Sequence, residues 1–381
     1  MPNRSLANLN TNKHQNNSSQ LGPIQLTDFP NEVLLMINNH LPSVKDRVRL
    51  ASVNRQFHGL FQPEIGKKEA KDAAACAINP IKENIEKLKA LLKECPALLL
   101  HKVTVKNRHG MVIKGTVYQI ALHEGDDELI DDVIKPAFER FHNGLETMEA
   151  QRKAWLPDGW MEAEERACAS ALIAIDNVFA AFKNAANPKD VTELPNYPYT
   201  ITIHNQQVNI ALDAFRNAID VLYKPTDKVI ESGRDPIIRL LERVMNRYEE
   251  NYDALGGYNT PRNNALMRKV FGYCERSAPI NFMQAFAQGI YYILENKEKL
   301  TRSFEYRYWA GNFILPLDSD LQFRLGYEYF ARAGGGGAGR SASAEPGAAV
   351  RVYKTFCQSK TAAALQTCYA ITGKVLRNNI A

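Results

Sequence analysis

Residues able to do chemistry occur in a few short patterns along this 381-residue chain, and each pattern asks for partners that must be found elsewhere. Asp318-Ser319-Asp320 offers two carboxylates two positions apart, the spacing that holds a metal–nucleotide donor. It follows Leu315-Pro316, and Asp and Ser bond their own backbone readily, so a turn is the simpler reading. Glu162-Ala163-Glu164 has the glutamate spacing used in ADP-ribosyl transfer, but it lies in a helical pattern with no Ser-Thr-Ser strand before it, which leaves a solvated helix face. Gly334, Gly336 and Gly339 satisfy GxGxxG formally. No strand precedes them and no acidic residue follows at the ribose-binding distance, so they read as linker. For thiol catalysis, His101, His109, His123, His142 and His204 are available, and none has a local signature around it. His123-Glu124 lacks the second His of HExxH. The acidic run Asp126, Asp127, Glu128, Asp131 and Asp132 has helix-surface spacing and reads as a solvated face near a helix N-terminus. No catalytic residue, cofactor or metal is assigned.

Composition narrows the classes further. Hydrophobic content of 45% and charged content of 23% are those of a globular chain with room for two or three domains. No window approaches 18 consecutive apolar residues, and residues 1–24 lack the apolar core of a secretory signal, so neither a membrane span nor general secretion is expected. Six cysteines are scattered without CxxC spacing, which argues for reduced thiols and against zinc. The net charge of +5 is carried by residues 340–381, where six basic side chains face one acidic; the remainder balances at 41 against 41. A general nucleic-acid surface is therefore not expected.

The elements that must position any site begin at residues 26–61. Pro30, Val33, Leu34, Ile37 and Leu41 follow helical spacing, with Asp28 placed to cap and Glu32 at the positive end of the dipole. Leu41-Pro42 stops this helix, and Ser43 with Asp46 restarts a second one bearing Val44, Val48, Leu50 and Ala51. A third carries Val53, Phe57, Leu60 and Phe61. A unit this short rarely builds an adequate core alone, so its apolar surface must be covered by its own domain or by a partner.

The order Leu26, Phe29-Pro30, Glu32, Leu34, Ile37, Leu41-Pro42, Leu50, Val53, Arg55, Phe57 resembles an F-box, the motif that docks onto the Skp adaptor of cullin–RING ubiquitin ligases. Phe29 stands where the family usually has Leu, and Phe57 where it often has Trp. The resemblance implies that Pro30, Leu34, Ile37, Leu41, Leu50, Val53 and Phe57 bind the adaptor. An ordinary helical subdomain is the alternative.

Further along, residues 67–95 form a helical pattern with Ile78, Ile81, Ile85, Leu88 and Leu92 on one side, ended by Pro96. VTVKNRHGMVIKG reads as a small hairpin around His109-Gly110. Gly115 to Ile134 is similar to an ankyrin repeat at Gly115-Thr116, Ala121, Gly125-Asp126, Glu128-Leu129-Ile130 and Val133, with Val117 and Gln119 departing from the family's Pro and His. No third unit is visible, so ankyrin-like helix pairs within a larger domain, or a plain helix–turn–helix, are the two readings. Candidate helices follow over 161–185, 206–222, 236–252, 263–274 and 281–297, the last apolar enough to sit centrally. A second hairpin is expected around Gly311-Asn312.

GTVYQIAL, FGYCERSAPINFMQAFAQGIYYILE and LTRSFEYRY, in that order, resemble a helical region of effectors secreted by Legionella-type intracellular bacteria. That resemblance implies a bacterial protein acting in the host cytoplasm. The expected fold is mainly α. Residues 1–24 form a disordered arm, 25–65 the F-box, 67–330 a helical target-binding domain with a small β-hairpin, 333–349 a Gly/Ala/Ser linker, and 350–381 a short helical tail or type IV secretion signal that lacks the usual Glu cluster. Together the resemblances imply an effector that joins a host SCF-type ligase and recruits a host target. The alternatives are a transferase that uses the F-box only for localisation, with Asp318 and Asp320 as its candidates, and a scaffold with no ubiquitin role.

Overall fold

A computed structural model of the chain describes residues 25–41, 44–51, 53, 55–61, 66–194, 200–224, 228–257, 260–294, 296–307, 313–316 and 354–362. The chain divides into two compact units, Met1–Ile65 and Gly66–Ala381. It is mainly helical with small sheets, and no described helix is long and apolar enough to cross a membrane.

In the first unit a 3-10 turn, Leu26–Asp28, leads into α1 (Asn31–His40), α2 (Val44–Ala51) and α3 (Arg55–Phe61), which pack on one another. Asp28 does not cap α1. Its carboxylate turns back to accept from the Gln25 backbone N–H at 2.8 Å, and α1 starts from Pro30, whose carbonyl takes the N–H groups of Val33 and Leu34. Proline at the boundary loses no bond, because the first amides of a helix have no internal partner. The helix ends at Leu41, before Pro42.

The second unit opens with α4 (Lys67–Ile78) and α5 (Lys82–Glu94). The single helical pattern expected over 67–95 is thus two helices, because Pro80 cannot donate within a helix and restricts the residue before it. Strands β1 (Val103–Lys106) and β2 (Val112–Gly115) pair antiparallel around the turn at Asn107–Gly110. Then come α6 (Val117–Glu124), α7 (Asp127–Leu129), a π-helical stretch Ile130–Ile134 and α8 (Lys135–Phe138). Thr116 caps α6 in a reciprocal box with Gln119, satisfying two backbone donors at once. Gly125 ends α6 at φ +65°, and a Cβ there would lie 3.0 Å from Ile238 and 3.1 Å from Phe282, so both conformation and space demand glycine.

The remaining helices are α9 (Gly144–Trp155), α10 (Trp160–Asn184), α11 (Gln206–Tyr223), α12 (Pro236–Asn251), α13 (Pro261–Leu266), a π-helical stretch Met267–Phe271, α14 (Gly272–Ser277), α15 (Ile280–Gln288) and α16 (Ile290–Leu294). Side-chain caps start three of them: Asn205 for α11, Asp235 for α12 and Thr260 for α13. The helix expected over 281–297 is broken at Gly289, φ +96°. Unforeseen strands β3 (Val191–Leu194) and β4 (Thr200–Ile203) pair with each other, and β5 (Val229–Ile230) adds parallel to β2. Strands β6 (Glu305–Arg307) and β7 (Phe313–Pro316) pair antiparallel with an irregular register, while Gly311-Asn312, where the second hairpin is expected to turn, lies outside the described residues. Asp318, Asp320 and the linker at 333–349 lie outside the described residues.

Two apolar cores result. One gathers α4 to α9, the first hairpin and Trp160; the other gathers α10 to α15 with Phe356 and Cys357. The cores meet at the Gly125–Asp126 corner. Every α15 residue except Ile280 is buried, and its amides at Asn281, Gln284 and Gln288 fall on one face, where they bond Gly125 O (3.1 Å), Pro80 O (3.2 Å) and Lys299 O (2.9 Å). The acidic run beside this corner is not simply a solvated face. Asp126 caps α7 through Leu129 N and takes both Arg302 nitrogens at 2.5 and 2.9 Å; Glu128 accepts from Leu300 N; Lys299 reaches Asp132 at 2.7 Å; Lys360 pairs with Asp127.

The Asp126–Arg302 side chains are 1% and 10% exposed, so removing the cation strands a buried carboxylate. Arg302→Ala should therefore destabilise the second unit by about 3 kcal/mol, read from urea unfolding followed by tryptophan emission. A loss under about 0.5 kcal/mol would show that the α7 cap alone satisfies Asp126.

Candidate functional site

The residues assigned to partner binding all fall in the first unit, and the structure divides them. Leu34 and Phe57 are fully buried, Phe57 stacking at 5.3 Å on Phe61, so they are the unit's interior. Ile37, Leu41 and Leu50 are half-buried, and Pro30 is exposed. Val53 stands 66% exposed. Three further apolar side chains face outward: Met36 at 61%, Phe29 at 40% and Leu26 at 38%. Met36 was not singled out by sequence, because it falls off the stripe of Val33, Leu34, Ile37 and Leu41 that marks the apolar face of α1. Asn38 is buried with its amide unpartnered among the described residues, a polar group sealed beside the apolar face of α1.

Several of the side chains weighed as catalytic candidates in the second unit, His109, His123 and Glu164 among them, are engaged in structural contacts. Around α12 the Asp235 carboxylate accepts from Ile237 N at 3.0 Å and from the Tyr223 hydroxyl, and the ring of Tyr223 packs on that of His109 with centroids 4.5 Å apart. His109 Nε2 donates to Ser277 O at 3.1 Å, and Arg108 to Arg276 O at 2.7 Å, so the hairpin turn clamps the carbonyl end of α14. His123 Nδ1 donates to Gly233 O at 2.9 Å. Burial pushes both imidazoles below their ordinary pKa, which keeps them neutral. Glu164 is buried and paired with Arg234 at 3.0 Å, while Glu162 is exposed, so the two glutamates do not converge on one point.

No family model, curated protein or solved structure matches this chain.

The thiols are equally unsuited to attack. Burial raises Cys76, Cys95, Cys168, Cys274 and Cys357, with Cys168 pushed up to about 12, and among the described residues none of these is hydrogen-bonded to a histidine. Among the described residues no three His, Cys, Asp or Glu side chains gather as metal ligands would. Large apolar side chains stand exposed on both units, and Leu26, Phe29, Met36 and Val53 are those on the small first one.

One buried carboxyl stands apart from this network. Glu275 is 4% exposed, neither oxygen has a hydrogen-bond partner among the described residues, and burial alone lifts it to about 8. The unfolded chain releases this proton near 4.5 and the folded chain near 8, so the folded state binds more protons across that window and stability falls as pH rises through it. Burial also raises Glu124, Glu128 and Glu164, and they add in the same direction. Glu275→Gln should raise the melting temperature at pH 8 and flatten its decline from pH 5 to 8, by on the order of 1 kcal/mol per pH unit. Parallel pH profiles for parent and variant would remove Glu275 from this account.

Proposed function

We propose that this chain is a docking adaptor whose first unit, an F-box-like three-helix module, engages the Skp adaptor of a host cullin–RING ligase while residues 66–381 hold a host target. The observation that carries the reading is the outward placement of Leu26, Phe29, Met36 and Val53 on a unit too small to bury them. Four large apolar side chains exposed on so short a stretch cost free energy in water unless a partner covers them. They lie within the stretch that resembles the F-box, whose known partner is such an adaptor. In this reading the chain is an effector delivered into host cytoplasm, it carries no catalytic centre of its own, and the ligase supplies the chemistry.

The burial pattern dictates which substitutions test it. Leu34→Ala with Phe57→Ala would unfold the module and lose binding for that reason alone, since truncating buried Leu or Phe costs about 2–5 kcal/mol each. Met36→Asp with Val53→Asp changes only exposed positions. This surface pair should leave the helical circular dichroism unchanged and weaken capture of purified Skp adaptor by about 100-fold or more. Binding equal to the parent's would sink the reading.

Target holding and target modification should also separate. The Met36→Asp, Val53→Asp chain should retain whatever host protein co-purifies with the parent, yet fail to promote its ubiquitination by the complete cascade. Modification of that protein by the purified chain without ligase components would instead reveal an enzyme.

A further inference from the structure

Residues 354–362 form a helix joined to the rest of its unit across the Gly-, Ala- and Ser-rich stretch 333–349, whose composition is that of a tether. Its seat is specific. Phe356, 2% exposed, packs edge-on against Phe282 at 5.3 Å and beside Phe286 at 6.4 Å. Lys354 pairs with Glu249 at 3.1 Å, and Lys360 pairs with Asp127 while lying over the Phe356 ring. The Thr361 hydroxyl donates to Glu242 at 2.8 Å and accepts from Arg234 at 2.8 Å.

The seat is built without the helix. Glu242 is already held by Arg239 at 3.0 Å, and Arg234 by Glu164 at 3.0 Å and by stacking on Trp160. Asp127 follows the Asp126–Arg302 corner, and Phe282 and Phe286 sit on α15, pinned through its amides. An apolar slot with an acidic rim, whose walls are braced by contacts of their own, is therefore filled by one aromatic anchor and the adjoining Cys357, flanked by lysines. The Lys354–Glu249 pair at the rim is 35% and 49% exposed, so it contributes little hold and mainly selects charge. Phe356 and its neighbour Cys357, both buried inside a polar rim, give this seat the make-up of an interface hot spot.

We propose that this groove is a recognition site for a basic amphipathic helix of a partner protein, one bearing an aromatic anchor with a lysine two residues before and another four residues after it. Residues 354–362 fill the groove in cis as a tethered occupant. A tether gives such a segment an effective concentration of order millimolar, so a partner enters by binding more tightly or by accumulating. This site lies in the second unit and stands independently of the docking module.

The test uses the full chain with a specific protease site placed between Ser341 and Glu345. Its probe is a fluorescent helical peptide of unrelated sequence that keeps only the two lysines and the phenylalanine at this spacing. After cutting, the released segment should dialyse away with the rest still folded. The peptide should then bind at least about tenfold more tightly than it binds the uncut chain. Replacing its Phe by Ala should weaken it about 100-fold, and replacing both lysines by Glu should abolish binding at low salt. In the uncut chain, amides of 354–362 should exchange with solvent at least about tenfold faster than those of 280–288. A segment that stays bound after cutting, a remainder that unfolds, exchange in step with 280–288, or a cut chain blind to the peptide would each overturn the proposal. So would a concentration-dependent dimer abolished by Phe356→Ala, which would make the occupant a second copy of this chain.

Discussion

A single carboxylate, Asp126, is asked to do two things at once, and the second unit hangs on both. It caps α7, and it receives both arms of the Arg302 guanidinium from 176 residues away in sequence. The bond works because Gly125 turns the backbone left-handed just before it, which frees the aspartate to face inward while Ile238 and Phe282 close over the glycine. Asn281 completes the corner by holding the Gly125 carbonyl. A charge pair buried this way adds little net stability compared with an apolar contact, but it tolerates no other register. The two apolar cores are locked in one arrangement as a result.

Polar side chains elsewhere serve the same end of fixing register. Between α10 and the stretch from Arg234 through α12 a series of ion pairs runs from Glu164–Arg234 through Glu165–Arg239 to Asp176 with Arg243 and Arg247. Asp176 takes nitrogens from both arginines, and their hydrogen bonds outweigh its partial burial to hold its carboxyl below the usual range. These pairs are largely half-exposed, so they choose the sliding position of two long helices more than they bind them.

Much of the helical layout was legible because helix spacing and stop signals are local. The stretches around 161–185, 206–222 and 236–252 lie within a residue or so of α10, α11 and α12, and the hairpin around His109-Gly110 is present. Breaks inside apolar stretches were harder. Pro80 splits one expected helix, and Gly289 another whose apolar residues alone suggest continuity. Two-residue β5 carries no periodicity to read, and it exists because β2 offers an edge. The acidic run looked solvated because its cations, Lys299, Arg302 and Lys360, arrive from more than 160 positions downstream. In the first unit the spacing already separates the two sides of α1, since Leu34 and Met36, two positions apart, lie about 200° apart around a helix. Packing adds that the Leu34 side is the interior and that Met36 is a large apolar side chain left outside.

The described thiols are all sheltered and all slow to ionise, a property that matters beyond packing. Exchange with a disulfide needs thiolate and access, and these side chains are short of thiolate, with four of the five also buried. Thiols in this state neither gain nor lose a covalent link readily when the surroundings change from oxidising to reducing, so the packing at these five positions does not depend on the redox poise around it.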